Sequence, residues 1–282
     1  MKEKVFQYFS DQMHFQRRSS VFKKLLYILV LVKSVFWLSH YALYFSENSI
    51  IYTKPFSNLG IIQNAAFLLH QMNSNNAGFF FIIPTLLIAL AGLFKFRILI
   101  LTDLLLWFLV VNIHNRIYST MTGGEVLMNQ LLFFNAFIGY PTKKSTSFSS
   151  YQNILHNFGS LGVIVQVCFV YFFSALAKLQ NESWLEGNAI IETLQVAHYS
   201  TTFLSKAVLT LPWLFVALNY IVLLYQLFFP VLVWIKKIKK PFIAIGILMH
   251  LFIVFGMGLV TFGSVMILTY IYFWPLKEES RI

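Results

Sequence analysis

Of 282 residues, 58% are apolar, 18% aromatic and only 11% charged, and the mean hydropathy is +0.71. A water-soluble domain carries about a quarter charged residues, so the composition excludes one and predicts a chain covered mostly by bilayer. The formal charge of +11 would suit nucleic acid, but the basic residues fall at the ends of apolar stretches, where membrane topology explains them.

Residues 1–20, MKEKVFQYFSDQMHFQRRSS, have no short apolar core followed by small residues, so no cleavable signal is expected. They read as a cytoplasmic amphipathic leader, with Phe6, Phe9, Met13 and Phe15 on the membrane surface. Residues 21–276 read as one transmembrane domain and 277–282 as a cytoplasmic tail. Apolar helices are predicted over about 22–45, 78–95, 97–114, 125–140, 157–179, 209–235, 241–257 and 259–275. The expected fold class is therefore all-α: a polytopic integral membrane bundle of about eight transmembrane helices, or seven if the 125–140 segment is re-entrant.

The basic residues orient this arrangement. With both termini cytoplasmic, the inner side holds Lys2, Lys4, Arg17, Arg18, Lys23, Lys24, Lys95, Arg97, Lys143, Lys144, Lys236, Lys237, Lys239, Lys240, Lys277 and Arg281. The outer side holds only Lys54, Arg116, Lys178 and Lys206, as the positive-inside rule requires. Two long outer loops follow, 46–77 and 180–208, the second with an amphipathic run at 189–198 suited to a short interfacial helix.

Charged groups at bilayer depth are costly and usually face the protein interior. Lys33 lies about 15 Å into the first helix at 1.5 Å per residue, and Asp103 is placed at a similar depth in the third. A Lys33–Asp103 ion pair is expected, with anion binding by Lys33 as the other reading. The third helix ends at His114-Asn115-Arg116, and Gly123-Gly124-Glu125 opens the fourth. Two glycines permit close backbone approach to a bound group, and a carboxylate suits a helix N-terminus. Glu125 is either a cap bridged to Arg116 or part of a ligand site. His250, alone in an apolar helix, is hydrogen-bonded to a neighbour more often than it is catalytic. The single Cys168 offers no disulfide, and no metal-ligand cluster, Walker loop, dinucleotide fingerprint or nucleophile elbow is present.

The most informative stretch runs from Gln166 through Lys178 to Trp184-Leu-Glu186-Gly187. A lysine at a membrane boundary commonly snorkels, stem in hydrocarbon and ammonium among head groups. Yet Val170-Tyr-Phe-Phe-Ser-Ala-Leu-Ala-Lys178-Leu followed by Trp184-Leu-Glu-Gly187 resembles the signature helix of the HTTM superfamily, which includes vitamin K-dependent γ-carboxylase and bacterial relatives. His250 with Phe262-Gly-Ser-Val-Met266, Asn115-Arg116, Gly123-Gly124-Glu125 and Lys33 extend the similarity over about residues 20–275.

The resemblance implies that Lys178 is a base, with His250 and Glu125 as further catalytic candidates. It implies Arg116, Trp184, Glu186, Gly123 and Gly124 as substrate-binding neighbours at the outer face. The cofactor stays open, a reduced quinone being the one the carboxylase suggests. The carboxylase's lumenal domain would follow the helices, whereas this sequence ends at Ile282, and the 133–140 region lacks the carboxylase's histidine. These departures point away from γ-carboxylation of a protein. The substrates implied are a quinone, a lipid or a secreted peptide undergoing maturation, in a bacterial cytoplasmic (inner) membrane. The second reading is a non-enzymatic subunit that binds an envelope protein. Partners in either case are membrane lipid and a secreted peptide or envelope protein, not nucleic acid.

Overall fold

The computed structural model describes residues 2–46, 49, 51, 65, 67–72, 76–94, 100–139, 147–199, 206 and 212–275. Its regular elements are all helical. In chain order they are α1 (Lys2–Ser10), α2 (Gln16–Ser39), α3 (Tyr41–Phe45), α4 (Leu68–Gln71), α5 (Ala77–Leu93), α6 (Ile100–Arg116), α7 (Gly123–Phe137), α8 (Ser147–Leu179), α9 (Glu182–Leu185), α10 (Ala189–Gln195), α11 (Pro212–Leu232), α12 (Lys239–Phe255) and α13 (Val260–Thr269). Single 3-10 turns cover Tyr118–Thr120 and Tyr270–Tyr272. Most of the 46–77 loop, Lys95, Arg97, Lys143, Lys144, part of the 180–208 loop and the 277–282 tail lie outside the described residues.

The chain divides into two compact units, Met1–Gly162 and Val163–Ile282, with the boundary inside α8. Two helices are long and apolar enough to cross a membrane, at 150–179 and 213–232. The expected eight are not all of that kind. Helices α5, α6 and α12 have seventeen residues each, about 26 Å at 1.5 Å per residue against about 30 Å of hydrocarbon. The first predicted helix begins earlier, at Gln16, and breaks at His40 before the short α3. The fifth begins ten residues earlier than predicted, at Ser147.

In the first unit the expected Lys33–Asp103 pair is replaced by two others. Asp103 is bonded by Lys23, Nζ to Oδ2 at 2.7 Å, and by the Tyr27 hydroxyl at 2.7 Å. Lys33 instead meets Glu125, Nζ to Oε1 at 2.8 Å. The reason is level along the helix. Lys23 and Lys33 are ten residues apart on α2, roughly 15 Å, and Asp103 stands in the first turn of α6, where only the earlier lysine reaches it. Lys23 is therefore not a solvated cytoplasmic charge: its side chain is 2% exposed. Its ammonium also donates to the carbonyls of Asn135 (3.3 Å) and Ile138 (2.8 Å) at the C-terminal end of α7, where helix carbonyls lack intrahelical donors; that of Asn135 accepts the Ile138 amide as well. Tyr27 reaches Asp103 because its ring lies where a side chain on Gly92 of α5 would be, a close approach that small residues allow between apolar helices.

The leader is not a free surface helix. Asn157 of α8 donates to the carbonyls of Phe9 (2.9 Å) and Gln12 (2.8 Å), and its carbonyl oxygen accepts from the amide of His14 (2.6 Å). Asn153 donates to the Ser10 carbonyl, and His156 meets the His14 carbonyl, both at 2.8 Å. Phe15 enters α2 through a left-handed backbone, φ 56°.

Removing one member of a buried pair strands the other and costs about 3–5 kcal/mol. Lys23→Met should lower unfolding stability in detergent by that order. Adding Asp103→Asn should recover part of the loss. The cycle between Lys33 and Asp103 should be additive to within about 0.5 kcal/mol; coupling there instead would contradict the observed pairing.

Candidate functional site

The expected site residues fall in both units. Lys178, Trp184, Glu186 and His250 belong to the second; Lys33, Arg116, Gly123, Gly124 and Glu125 belong to the first.

Lys178 stands in the last turn of α8. Its ammonium donates to Ser174 Oγ at 2.9 Å, one turn back on the same helix face, and lies 4.8 Å from the centre of the Trp184 ring. A cation over an indole face is attracted by the ring quadrupole. No carboxylate among the described residues lies within ion-pair distance of it. Glu186, three residues before the start of α10, is exposed and accepts from its neighbour Asn188 at 3.3 Å.

The Trp-x-Glu-Gly spacing has a backbone explanation. Gly187 adopts φ 85°, a region that only glycine enters without strain. That conformation lets the Asn188 amide bond back to the Ser183 carbonyl at 2.8 Å, the closure that ends a helix at a left-handed residue. The turn is then fixed by α11. Asn219 donates to the Trp184 carbonyl at 2.8 Å and the Tyr220 hydroxyl to the Leu185 carbonyl at 2.7 Å. A side chain on Gly187 would meet Val216 at 3.3 Å. Trp184 is thus presented to Lys178 by the polar residues of another helix. Asn219 stands out in the sequence as a polar residue in an apolar helix; which carbonyl it serves is not visible there. Ser174 carries a weaker signal, its spacing of four from Lys178.

His250 is buried in α12, 3% exposed, and does not touch Lys178. Its Nε2 is 2.8 Å from the Tyr171 hydroxyl, which is 2.5 Å from that of Tyr270, which in turn is 2.9 Å from that of Tyr225. Tyr171 lies seven residues before Lys178 on α8, two turns or about 10 Å along the axis. This chain of hydroxyls ties α8, α11, α12 and the turn after α13 together. It gives the three hydroxyls and His250 Nε2 partners, as buried polar groups require, while His250 Nδ1 is buried without one. The three tyrosines escape a sequence reading because their rings count as apolar.

In the first unit, Thr122 and Glu125 form a capping box at the start of α7. Thr122 Oγ accepts from the Gly124 amide (3.1 Å), while Glu125 Oε2 accepts from the Thr122 amide (2.8 Å) and hydroxyl (2.6 Å). Glu125 Oε1 takes the Lys33 ammonium, so the alternative bridge to Arg116 is not made. Lys33 also lies 5.5 Å from the Trp37 ring centre, against whose face His114 packs edge-on. His114 Nδ1 donates to Asn129 Oδ1 at 2.7 Å. The two glycines serve the cap and the first turn of α7. Among the described residues no group of three or more His, Cys, Asp or Glu could hold a metal ion.

Gly246 lies one turn before His250, and a methyl there would occupy the space of the Tyr225 and Tyr270 hydroxyls. Gly246→Ala should therefore lower the thermal midpoint of the detergent-extracted protein by several degrees, a loss of about 1–3 kcal/mol from overpacking. The same change made in a Tyr225→Phe, Tyr270→Phe background should cost less. An equal penalty in both backgrounds would show that the hydroxyls are not what the methyl meets.

No family model, curated protein or solved structure matches this chain.

Proposed function

We propose that this chain is a polytopic protein of the bacterial cytoplasmic membrane, built on the HTTM plan with about eight spans. In this reading Lys178 is the reactive group of an outer-leaflet site that acts on a quinone, a lipid or a secreted peptide. The bilayer reading is supported by outward stripes of large apolar side chains at helical spacing. On α8 these are Phe158, Leu161, Val165, Phe169 and Phe173; on α11, Trp213, Val216, Tyr220, Leu224, Phe228 and Val231; on α2, Leu25, Ile28, Val32 and Val35; on α5, Phe80, Ile83 and Leu87. Contiguous apolar surface on this scale needs a cover, and lipid supplies one for several helices at once.

The observation that carries the site is the environment of Lys178. Its ammonium rests on an indole face and a serine hydroxyl, with no carboxylate among the described residues to hold it protonated. A lysine that snorkels needs only length and charge, whereas a base must release its proton and offer a lone pair to the substrate. Ser174 and Trp184 provide position without a counter-charge. Glu186 and His250 act in this scheme as surroundings, not partners, since neither contacts the lysine.

Two experiments test the reading. With Cys168 replaced by serine, a cysteine introduced at the exposed Asn181 should react with an impermeant thiol reagent in intact cells. Reaction only after lysis would move Lys178 to the inner face.

The second concerns the lysine itself. A brief pulse of acetic anhydride on native membranes at pH 7 should modify Lys178 ahead of Lys236, Lys237 and Lys240, because only neutral amines react. Arginine cannot serve as a base, so Lys178→Arg and Lys178→Ala should yield folded, monodisperse protein and abolish the cellular phenotype equally. A working arginine variant would leave Lys178 as a membrane anchor.

A further inference from the structure

The turn between α11 and α12 carries Lys236, Lys237, Lys239 and Lys240. Its backbone closes on itself: the amides of Trp234, Ile235 and Ile238 donate to the carbonyls of Val231, Leu232 and Ile235 at 3.3, 3.1 and 3.2 Å. The lysine side chains are not needed to make it. Lys236, Lys237 and Lys240 are exposed, and none forms an ion pair among the described residues.

Nothing described in this unit lies near enough to balance them. Its described carboxylates are Glu182, Glu186 and Glu192, in the segment whose turn Asn219 and Tyr220 hold against the first half of α11. From Tyr220 to Leu232, the end of α11, is about 18 Å at 1.5 Å per residue. That is well beyond the ~8 Å screening length of physiological salt. Lys236 and Lys237 follow the C-terminal end of α11, which suits cations, but Lys239 and Lys240 stand in the first turn of α12, which does not.

Apolar side chains alternate with these charges. Trp234, Ile235 and Ile238 are 48%, 42% and 38% exposed. Trp234 rests edge-on against the buried Phe273, ring centres 5.6 Å apart, and the Lys239 ammonium lies 5.7 Å from the indole centre. A soluble acidic polypeptide would meet the ammonium groups and leave those three side chains in water. A phospholipid meets both, with phosphate for the lysines and the top of its acyl chains for the apolar residues, the setting in which interfacial tryptophan is enriched.

We propose that the α11–α12 turn is a docking surface for anionic phospholipid headgroups, selecting them over zwitterionic ones. This rests on the bilayer reading of the chain and is independent of Lys178.

The test uses the full chain in a sugar detergent, incubated with equal amounts of phosphatidylglycerol and phosphatidylcholine of matched acyl chains. Retained lipid is counted by native mass spectrometry. The wild type should keep phosphatidylglycerol several-fold over phosphatidylcholine, and salt added during the incubation should reduce that ratio. Replacing Lys236, Lys237 and Lys240 together by glutamine should bring the ratio close to one. Replacing them by arginine should preserve it, since charge sets the preference, and Lys206→Gln, at an exposed lysine elsewhere in the unit, should leave it unchanged. Equal retention by the wild type, or an undiminished ratio in the glutamine variant, overturns the proposal. Soluble polyglutamate that binds the wild type but not the glutamine variant, with no lipid preference, would assign the turn to an acidic polypeptide instead. Extraction of the protein by alkaline carbonate without detergent would remove the bilayer reading itself, so the two failures are told apart.

Discussion

An ammonium group withdrawn from water must find acceptors inside the protein, and Lys23 is where the first unit meets that requirement. One side chain joins three elements. It holds Asp103 at the start of α6, the carbonyls of Asn135 and Ile138 at the end of α7, and its own helix α2. Each bond answers a separate demand: a buried carboxylate needs a counter-charge, a helix C-terminus needs donors, and an ammonium needs three acceptors. Tyr27 completes the carboxylate, and Gly92 is small so that Tyr27 can pass. On the bilayer reading proposed above, apolar contacts offer little hydrophobic contrast to select one helix register over another. A pair of charges that match at only one level does select it.

A second lysine of the same helix repeats the device at the other end of α7. There the carboxylate of Glu125 closes a capping box and receives Lys33. Helix α7 thus has a carboxylate–ammonium contact at its N-terminus and an ammonium on its C-terminal carbonyls, both signs agreeing with its dipole. In the second unit the corresponding work is done by neutral groups. The hydroxyls of Tyr171, Tyr270 and Tyr225 and the imidazole of His250 share protons among four elements without any net charge. Lys178 is the cation of that unit whose contacts are a hydroxyl and a ring.

Much of the helical layout is legible in the residues. Apolar runs locate the long helices, Thr122-x-x-Glu125 announces the capping box, and the amphipathic run after Gly187 forms the short α10. The Lys–Leu…Trp–x–Glu–Gly element marks a stretch whose geometry proves specific: Gly187 needs its positive φ, and Trp184 does meet Lys178. What sequence cannot supply is level. Depth counted from the nearest basic residue places Lys33 beside Asp103, yet helix starts shifted by several residues move each charge by a turn or more. Lys23, read as a solvated positive-inside residue, turns out to be among the most buried side chains. Partners contributed by other helices, such as Asn219 for the Trp184 carbonyl, have no local signature at all.

The clamp on the leader has a consequence for how the chain is made. Asn153, His156 and Asn157 serve carbonyls and an amide about 143 residues earlier in the sequence. The leader, made well before α8, therefore cannot settle until α8 exists. At ordinary elongation rates of about 5–20 residues per second, its acceptors wait on the order of ten seconds for α8 to be synthesised. During that interval the leader's backbone must be satisfied by partners other than α8. On the bilayer reading proposed above, its Lys2, Lys4, Arg17 and Arg18 would hold it on an anionic surface until the helix that claims it arrives.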